Sequence, residues 1–393
     1  MNTYLKHLLF SSAIAITATG CGGGGSSSGS GDNDGDDRGS DSEQQFQART
    51  VNASSHDQYT YFNLETGETV HISDEQATSS TEWHIGFKRY NVILNGGDSG
   101  PSNVVGAIAA TQDDFYESSD EPNASVFLNA TPDNEQEHLL ASYNIDASAY
   151  IADEKAAAIL GSGAMIGTTL DMGWFNYNVV THQISLNNDN WWLLRSSAGD
   201  SFAKFHATAL SYDSGTGLDV TFEFDVQQPG TSQFTDTATF NALIGPAGGE
   251  ICFDFNSDSE VDCNDTSWDL KAEVIGRNWN LWTNSGVTAA GNGGAFGPHD
   301  TATADTYTSG TIAPGGQSIV TLYVEDISAG IFEEQPWYEY NIQNGHQLWP
   351  NYRVYMIDLD SEDDTSAQYA IQITSYYSNG GTSGYPSIRY VEQ

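Results

Sequence analysis

Along most of the chain, apolar and polar side chains alternate with a period of two, in runs rich in Tyr, Phe, Trp, Val, Ile and Thr. The clearest runs are 59–70, 83–94, 191–194, 202–212, 218–224, 318–324, 353–359 and 368–377. Each fits a strand with one buried and one wet face. Turn chemistry separates them, as in Glu65-Thr-Gly67, Asp213-Ser-Gly-Thr-Gly217 and Ser378-Asn-Gly-Gly-Thr-Ser-Gly384. The pattern predicts an all-β chain of antiparallel sheets. Helical spacing is confined to 146–160 and 111–116.

The pattern is also stated twice. Trp174-Phe-Asn-Tyr-Asn-Val-Val-Thr-His182, Trp191-Trp-Leu-Leu-Arg195 and the run 203–212 recur as Trp337-Tyr-Glu-Tyr-Asn-Ile-Gln-Asn-Gly-His346, 352–357 and 367–377. From the first Trp to the Ser-Tyr step is 38 residues in one copy and 39 in the other. The openings correspond as well: 61–70 aligns with 252–261, and Trp83-His-Ile-Gly-Phe87 with Trp268-Asp-Leu-Lys-Ala272. A repeat of this length implies two similar units rather than a solenoid. The expected division is 46–247 and 248–393, two tandem antiparallel β domains.

Ahead of them lies a different kind of chain. Residues 1–20 hold Lys6 and a short apolar run, 8–16, followed by small residues up to Cys21. The run is too short to span a bilayer, so the expectation is a cleaved export signal with lipidation at Cys21. Residues 21–45 are Gly, Ser, Asp and Glu with almost nothing apolar, the composition of a flexible tether. This places the protein on the outer membrane, lipid-anchored and exposed at the cell surface, with membrane contact through the anchor alone.

Charge narrows the partners. With 53 acidic and 12 basic residues the net charge is −41, which repels nucleic acid and anionic lipid. An anionic ligand would need one of the few cations. Of three cysteines, Cys252 and Cys263 remain after lipidation; outside the cytoplasm they are candidates for a disulfide.

At this point the residues carry a resemblance. Tyr61-Phe-Asn-Leu-Glu-Thr-Gly-Glu, Trp83-His-Ile-Gly-Phe-Lys-Arg-Tyr-Asn-Val and the closing Ser375-Tyr-Tyr-Ser-Asn-Gly-Gly-Thr-Ser-Gly-Tyr-Pro-Ser-Ile-Arg-Tyr390 resemble the HmuY family, haem-binding lipoproteins of the bacterial surface. The resemblance implies an all-β fold, exposure on the outer membrane, haem held between two axial His or Met side chains from loops, and delivery to a TonB-dependent receptor.

Haem iron accepts imidazole or thioether, and the porphyrin needs flat apolar walls. In the second copy the available histidines are His299 and His346, both in expected loops. In the first, His182 occupies the loop matching His346, with Met165 and Met172 in the preceding Gly-rich approach. Trp337, Tyr338 and Trp349 are candidate walls. The bland alternatives are that His346 and His182 cap turns and that the methionines fill core. His84 and His206 read as strand-surface residues.

Asp254-Phe-Asn-Ser-Asp-Ser-Glu-Val-Asp262 has alternating oxygen ligands, yet lacks the loop glycine and distal Glu of a calcium loop, and reads as a solvated turn. No Gly-x-Ser-x-Gly elbow, His-Glu-x-x-His or phosphate-binding loop is present, so the chain reads as a binder and not an enzyme. The competing reading is an adhesion or glycan-binding lipoprotein using exposed aromatic residues.

Overall fold

The computed structural model describes residues 46–393; the expected signal, the tether and Cys21 lie outside the described residues. The described chain is all-β and antiparallel, as the alternation predicts, and it folds into two sandwiches.

In the first, here lobe I, a five-stranded sheet runs in the order Gln47–Thr50, Ser383–Glu392, Gln368–Tyr377, Val354–Asp358, Val105–Ala110. A four-stranded sheet, ordered Glu68–Val70, Thr60–Asn63, Ile85–Lys88, Asn91–Leu94, covers it. Phe62, Ile85 and Phe87 from one sheet meet Tyr355, Ile371 and Ile388 from the other in a common core. Lobe II repeats the plan. Its sheets run Asp236–Ile244, Gly217–Gln227, Phe202–Asp213, Trp191–Arg195, Gly294–His299, and Ser259–Val261, Gly249–Asp254, Leu270–Ile275, Asn278–Thr283. Its core joins Trp192, Phe205, Phe222 and Phe240 to Phe253 and Leu270. Full burial of each such side chain is worth about 1.5–3 kcal/mol, so the apolar rows dictate which faces close.

Neither lobe is one repeat. Lobe I takes its opening strands, 47–110, from the first repeat and its closing strands, 354–392, from the second; lobe II takes 249–299 from the second and 191–244 from the first. The closing halves are exchanged. The expected division at 247/248 therefore cuts through lobe II, parting Asp236–Ile244 from the sheet formed by 249–283. Alternation marks which residues face a core, but the same apolar rows fit either partner.

The chain crosses between lobes twice, and the two crossings pair with each other: Glu154–Ala156 runs antiparallel to Ile327–Ala329. Two buried carboxylates pin this junction. Asp153 accepts hydrogen bonds from Leu94 N at 2.8 Å and Ser99 Oγ at 2.7 Å; Asp326 accepts from Ala158 N at 2.8 Å and Thr283 N at 2.9 Å. A Cβ on Gly330 would lie 2.0 Å from Asp153 Oδ1, so only glycine fits beside the pin. The helix expected over 146–160 is thus absent: a 3-10 turn at Ala147–Ala149 leads into the crossing strand, because pairing overrides the local alanine propensity. Of 111–116 only Asp113–Phe115 forms a 3-10 turn, and short helices at Ala124–Asn129 and Gln136–Leu140 were not anticipated.

Cys252 and Cys263 are joined, with Cα atoms 5.2 Å apart, and close the hairpin between Gly249–Asp254 and Ser259–Val261.

Candidate ligand site

Each lobe carries a hairpin at one end of its sandwich, and these hairpins hold the matching histidines. In lobe II, Phe175–Asn178 pairs with Ile184–Leu186, setting Phe175 opposite Leu186 and Tyr177 opposite Ile184. Directly opposed residues share a sheet face. Phe175 and Leu186 pack on the lobe II core, so the same face continues outward through Tyr177 and Ile184. Two further strands, Met165–Ile166 and Thr169–Asp171, extend it, with Leu170 between Met165 and Tyr177. The result is an overhanging four-stranded flap. Four of its apolar residues are open to solvent, Ile166 being 81% exposed, Val180 67%, Met165 46% and Met172 40%, while Leu170, Tyr177 and Ile184 are half-buried.

His182 stands in the turn of this flap with φ 60°, and its Nδ1 lies 2.6 Å from Tyr177 Oη. In the tautomer with the proton on Nδ1, the imidazole donates to the phenol oxygen and Nε2 is left as a free lone pair. A partner on one ring nitrogen that orients the other is how metal-binding imidazoles are positioned. The structure therefore brings His182, Tyr177, Met165 and Met172 onto one small sheet.

Lobe I repeats the histidine but not the added strands. Tyr338–Tyr340 pairs with Leu348–Pro350, and His346, with φ 54°, places Nδ1 2.7 Å from Tyr340 Oη. Ile342 and Trp349 pack against Phe115, Phe127 and Tyr352, with Trp349 on the face away from Tyr340, while His346 is exposed, like His182. This sheet has only two strands.

His299 and His346 are not brought together. His346 belongs to the lobe I hairpin; His299 ends a lobe II strand opposite Trp191, its ring 4.6 Å from Phe296 and 5.2 Å from Tyr307. Burial lowers the His299 pKa, and its Nε2 has no hydrogen-bond partner. The strand exchange separates them, for they come from opposite halves of one repeat.

Trp337 is fully buried, with Nε1 donating to Tyr90 O at 3.0 Å, so it is a core residue of lobe I and offers no open wall; Tyr338 and Trp349 are half-buried. His84 is also buried rather than on the strand surface: it accepts a hydrogen bond from Leu64 N at 3.1 Å. His206 stacks on Trp191 with ring centroids 3.5 Å apart, and its Nδ1–H donates to Asn188 O at 3.0 Å.

Sequence reasoning missed the aromatic shelf beneath the flap. Trp279 stacks on Trp174 at 6.0 Å and lies 5.2 Å from Phe175 and 4.9 Å from Tyr212. Trp279 comes from the second repeat and the other three from the first. Lobe I has the counterpart in Tyr90, Trp337, Tyr338 and Tyr376. Spacing along the chain holds no signal for such a cluster, because the exchange assembles it.

Among the described residues no group of three or more His, Cys, Asp and Glu could hold a bare metal ion, and no helix is long and apolar enough to cross a membrane. What the flap offers is a protein-oriented imidazole, thioethers and apolar side chains, a donor set that suits a flat, apolar, metal-bearing ligand.

Two β-sandwiches with a matching Tyr–His hairpin on each define an all-β protein of two like lobes. Residues 55–224 match the family model described as HmuY protein, and over that segment the chain is HmuY-like. The match ends before the second repeat begins. No curated protein matches the chain. Among solved structures, a HmuY-like heme binding protein from Bacteroides vulgatus ATCC 8482 shares 11% identity at a TM-score of 0.29, with 89% of this chain and 93% of that chain covered. A lipoprotein from Bacteroides fragilis NCTC 9343 shares 11% at 0.30, covering 89% and 92%. The apo HmuY analog of Tannerella forsythia shares 9% at 0.29, covering 88% and 95%.

Proposed function

We propose that this chain captures haem at the lobe II flap, as a lipoprotein tethered through Cys21 to the outer membrane that passes its ligand to a TonB-dependent receptor. The observation that carries the reading is the exposed His182, held through Nδ1 by Tyr177 on a flap that also carries the part-exposed Met165 and Met172. The HmuY segment, which includes this whole flap, supports it. His182 Nε2 would be one axial ligand, with Met165 or Met172 as the other. Bound haem would supply the iron to which they ligate; the chain's part is to orient the imidazole, shield the porphyrin and keep its carboxylates outside. Lobe I carries the same exposed Tyr–His pair, but its hairpin sheet has two strands and no methionine, so one haem per chain is expected.

The test is an absorbance titration of residues 46–393 with haemin, oxidised and reduced. One equivalent should give a saturable, sharpened Soret band with low-spin visible bands. His182→Ala should abolish or shift those bands, and His346→Ala should leave them. A spectrum that stays that of free haemin at micromolar protein would end the haem reading.

A further inference from the structure

One residue of the shelf beneath the flap, Trp279, comes from the other repeat, and this bears on how an anionic porphyrin could be held by so acidic a chain. The strand pair Leu270–Ile275 and Asn278–Thr283 belongs to the second repeat, and its turn, Gly276-Arg277, lies two residues from Trp279. Trp279 is the residue that touches Trp174, Phe175 and Tyr212 at the root of the first repeat's flap. Around it the surface is open: Tyr212 is 50% exposed and Ile275 62%. In lobe I the corresponding turn reaches the closing hairpin directly, with the Arg89 guanidinium 5.6 Å from the Tyr376 ring and Nη2 2.9 Å from Ser383 Oγ.

Arg277 differs from nearly every other cation in the protein. Among the described residues, Lys88, Lys204, Lys271 and Arg389 are paired with carboxylates, and Arg49, Arg89, Arg195 and Arg353 donate to backbone carbonyls. Arg277 and Lys155 alone are exposed with neither kind of partner. Lys155 sits on the crossing strand, away from any aromatic shelf. In a chain of net charge −41, with acidic side chains in large excess, an arginine left unpaired at the rim of an aromatic shelf is free to receive a ligand's carboxylate.

We propose that Arg277, supplied by the second repeat, binds a carboxylate of the flat ligand that the first repeat's flap holds, making the lobe II site a composite of both repeats. The inference rests on the haem reading above and adds the anionic end of the ligand. Its class is a planar apolar macrocycle bearing carboxylates, with Trp279 and Tyr212 forming the lower wall and Arg277 the polar rim.

The mature chain with Cys21→Ser, which carries no lipid, is titrated with haemin and with its dimethyl ester, whose carboxylates are blocked. Arg277→Ala should weaken haemin binding about threefold to tenfold, as loss of one exposed charge contact does, and leave the ester within about twofold. Arg277→Glu should weaken haemin further, Arg277→Lys should restore part of the affinity, and Lys155→Ala should change neither ligand. Wild-type binding of haemin that all Arg277 variants retain would overturn the role of Arg277 while leaving the haem reading intact. Equal weakening of haemin and ester by Arg277→Ala would also overturn it, by showing a packing effect. Failure of the wild type to bind haemin would bring down both.

Discussion

The two hairpins carry the same exposed Tyr–His pair at nearly the same length, 2.6 Å in lobe II and 2.7 Å in lobe I, yet only the lobe II hairpin is widened by two further strands. In lobe I the segment after the strand Val105–Ala110 folds back as Asp113–Phe115 and Ala124–Asn129, and its aromatic side chains cover Ile342 and Trp349. In lobe II the segment after Gly294–His299 takes another course: Tyr307, Ile319 and Tyr323 pack on Leu193 and Phe202 instead. The flap there gains two strands, while its Ile184 and Leu186 pack on the lobe II core. Two sandwiches of like plan thus hold one histidine geometry on hairpin sheets of different breadth.

The sharpest way to break this comparison is to ask whether the lobes are hybrids at all. A protease site placed at 245–248, an exposed turn, can be cut after folding. The fragments should stay together and unfold together, since each lobe takes strands from both. The one disulfide, Cys252–Cys263, lies on one side of the cut and cannot hold them. Fragments that separate on native gel filtration would show two unexchanged domains, and the assignment of Trp279 to the first repeat's flap would fall with the exchange.

A smaller effect sharpens the contrast between the two hairpins. Phe127 is buried, 4.9 Å from Phe115 in an edge-to-face contact. Phe127→Ala removes that packing and leaves a cavity, and should cost about 3–5 kcal/mol in urea unfolding. Val180→Ala on the lobe II flap, mostly exposed, should change stability by less than about 0.5 kcal/mol. Comparable losses from the two substitutions would mean that the flap is covered in solution.

Much of this was legible in the sequence, and the illegible part has one physical source. Period-two alternation located the strands, and the paired motifs at Trp174 and Trp337 located both hairpins with their histidines. The partner of each closing half was not legible, because Val105–Ala110 and Gly294–His299 present similar edges to either closing strand. That choice is made at the crossings, where Asp153 and Asp326 sit. The shared role of these two residues was hidden by spacing: Asp153 precedes Trp174 by 21 residues and Asp326 precedes Trp337 by 11, the added flap strands making the difference. His299 and His346 failed as a pair for the same reason. Trp337 was misjudged because an aromatic residue after a proline in a short strand looks the same whether it faces a core or a ligand.

The smallest effect concerns one equivalent position filled by two chemistries. His84 in lobe I and Asp269 in lobe II both follow the repeat tryptophan, and both accept a hydrogen bond from the backbone of the opening turn: Leu64 N at 3.1 Å and Phe255 N at 3.2 Å. Burial acts on them in opposite directions. It lowers the pKa of His84, against the weaker pull of Glu65, so the folded state binds fewer protons there than the unfolded chain, and the stability this site contributes is lost as pH falls below about 6.5. Burial raises Asp269 to about 7 from 3.8, so the folded state binds more protons, and its contribution is fully present below about pH 4 and lost as pH rises through 7. Asp153, raised to about 6, and Asp326, raised to about 7, act in the same sense as Asp269 and set the background slope. Urea midpoints between pH 5 and 8 should therefore decline with pH in the wild type. His84→Gln should steepen the decline by removing one of two rising contributions, the other being the half-buried His299, and Asp269→Asn should flatten it. If both substitutions move the slope in the same direction, the two positions do not titrate as burial requires, and the repeat has not placed opposite pH responses at one site.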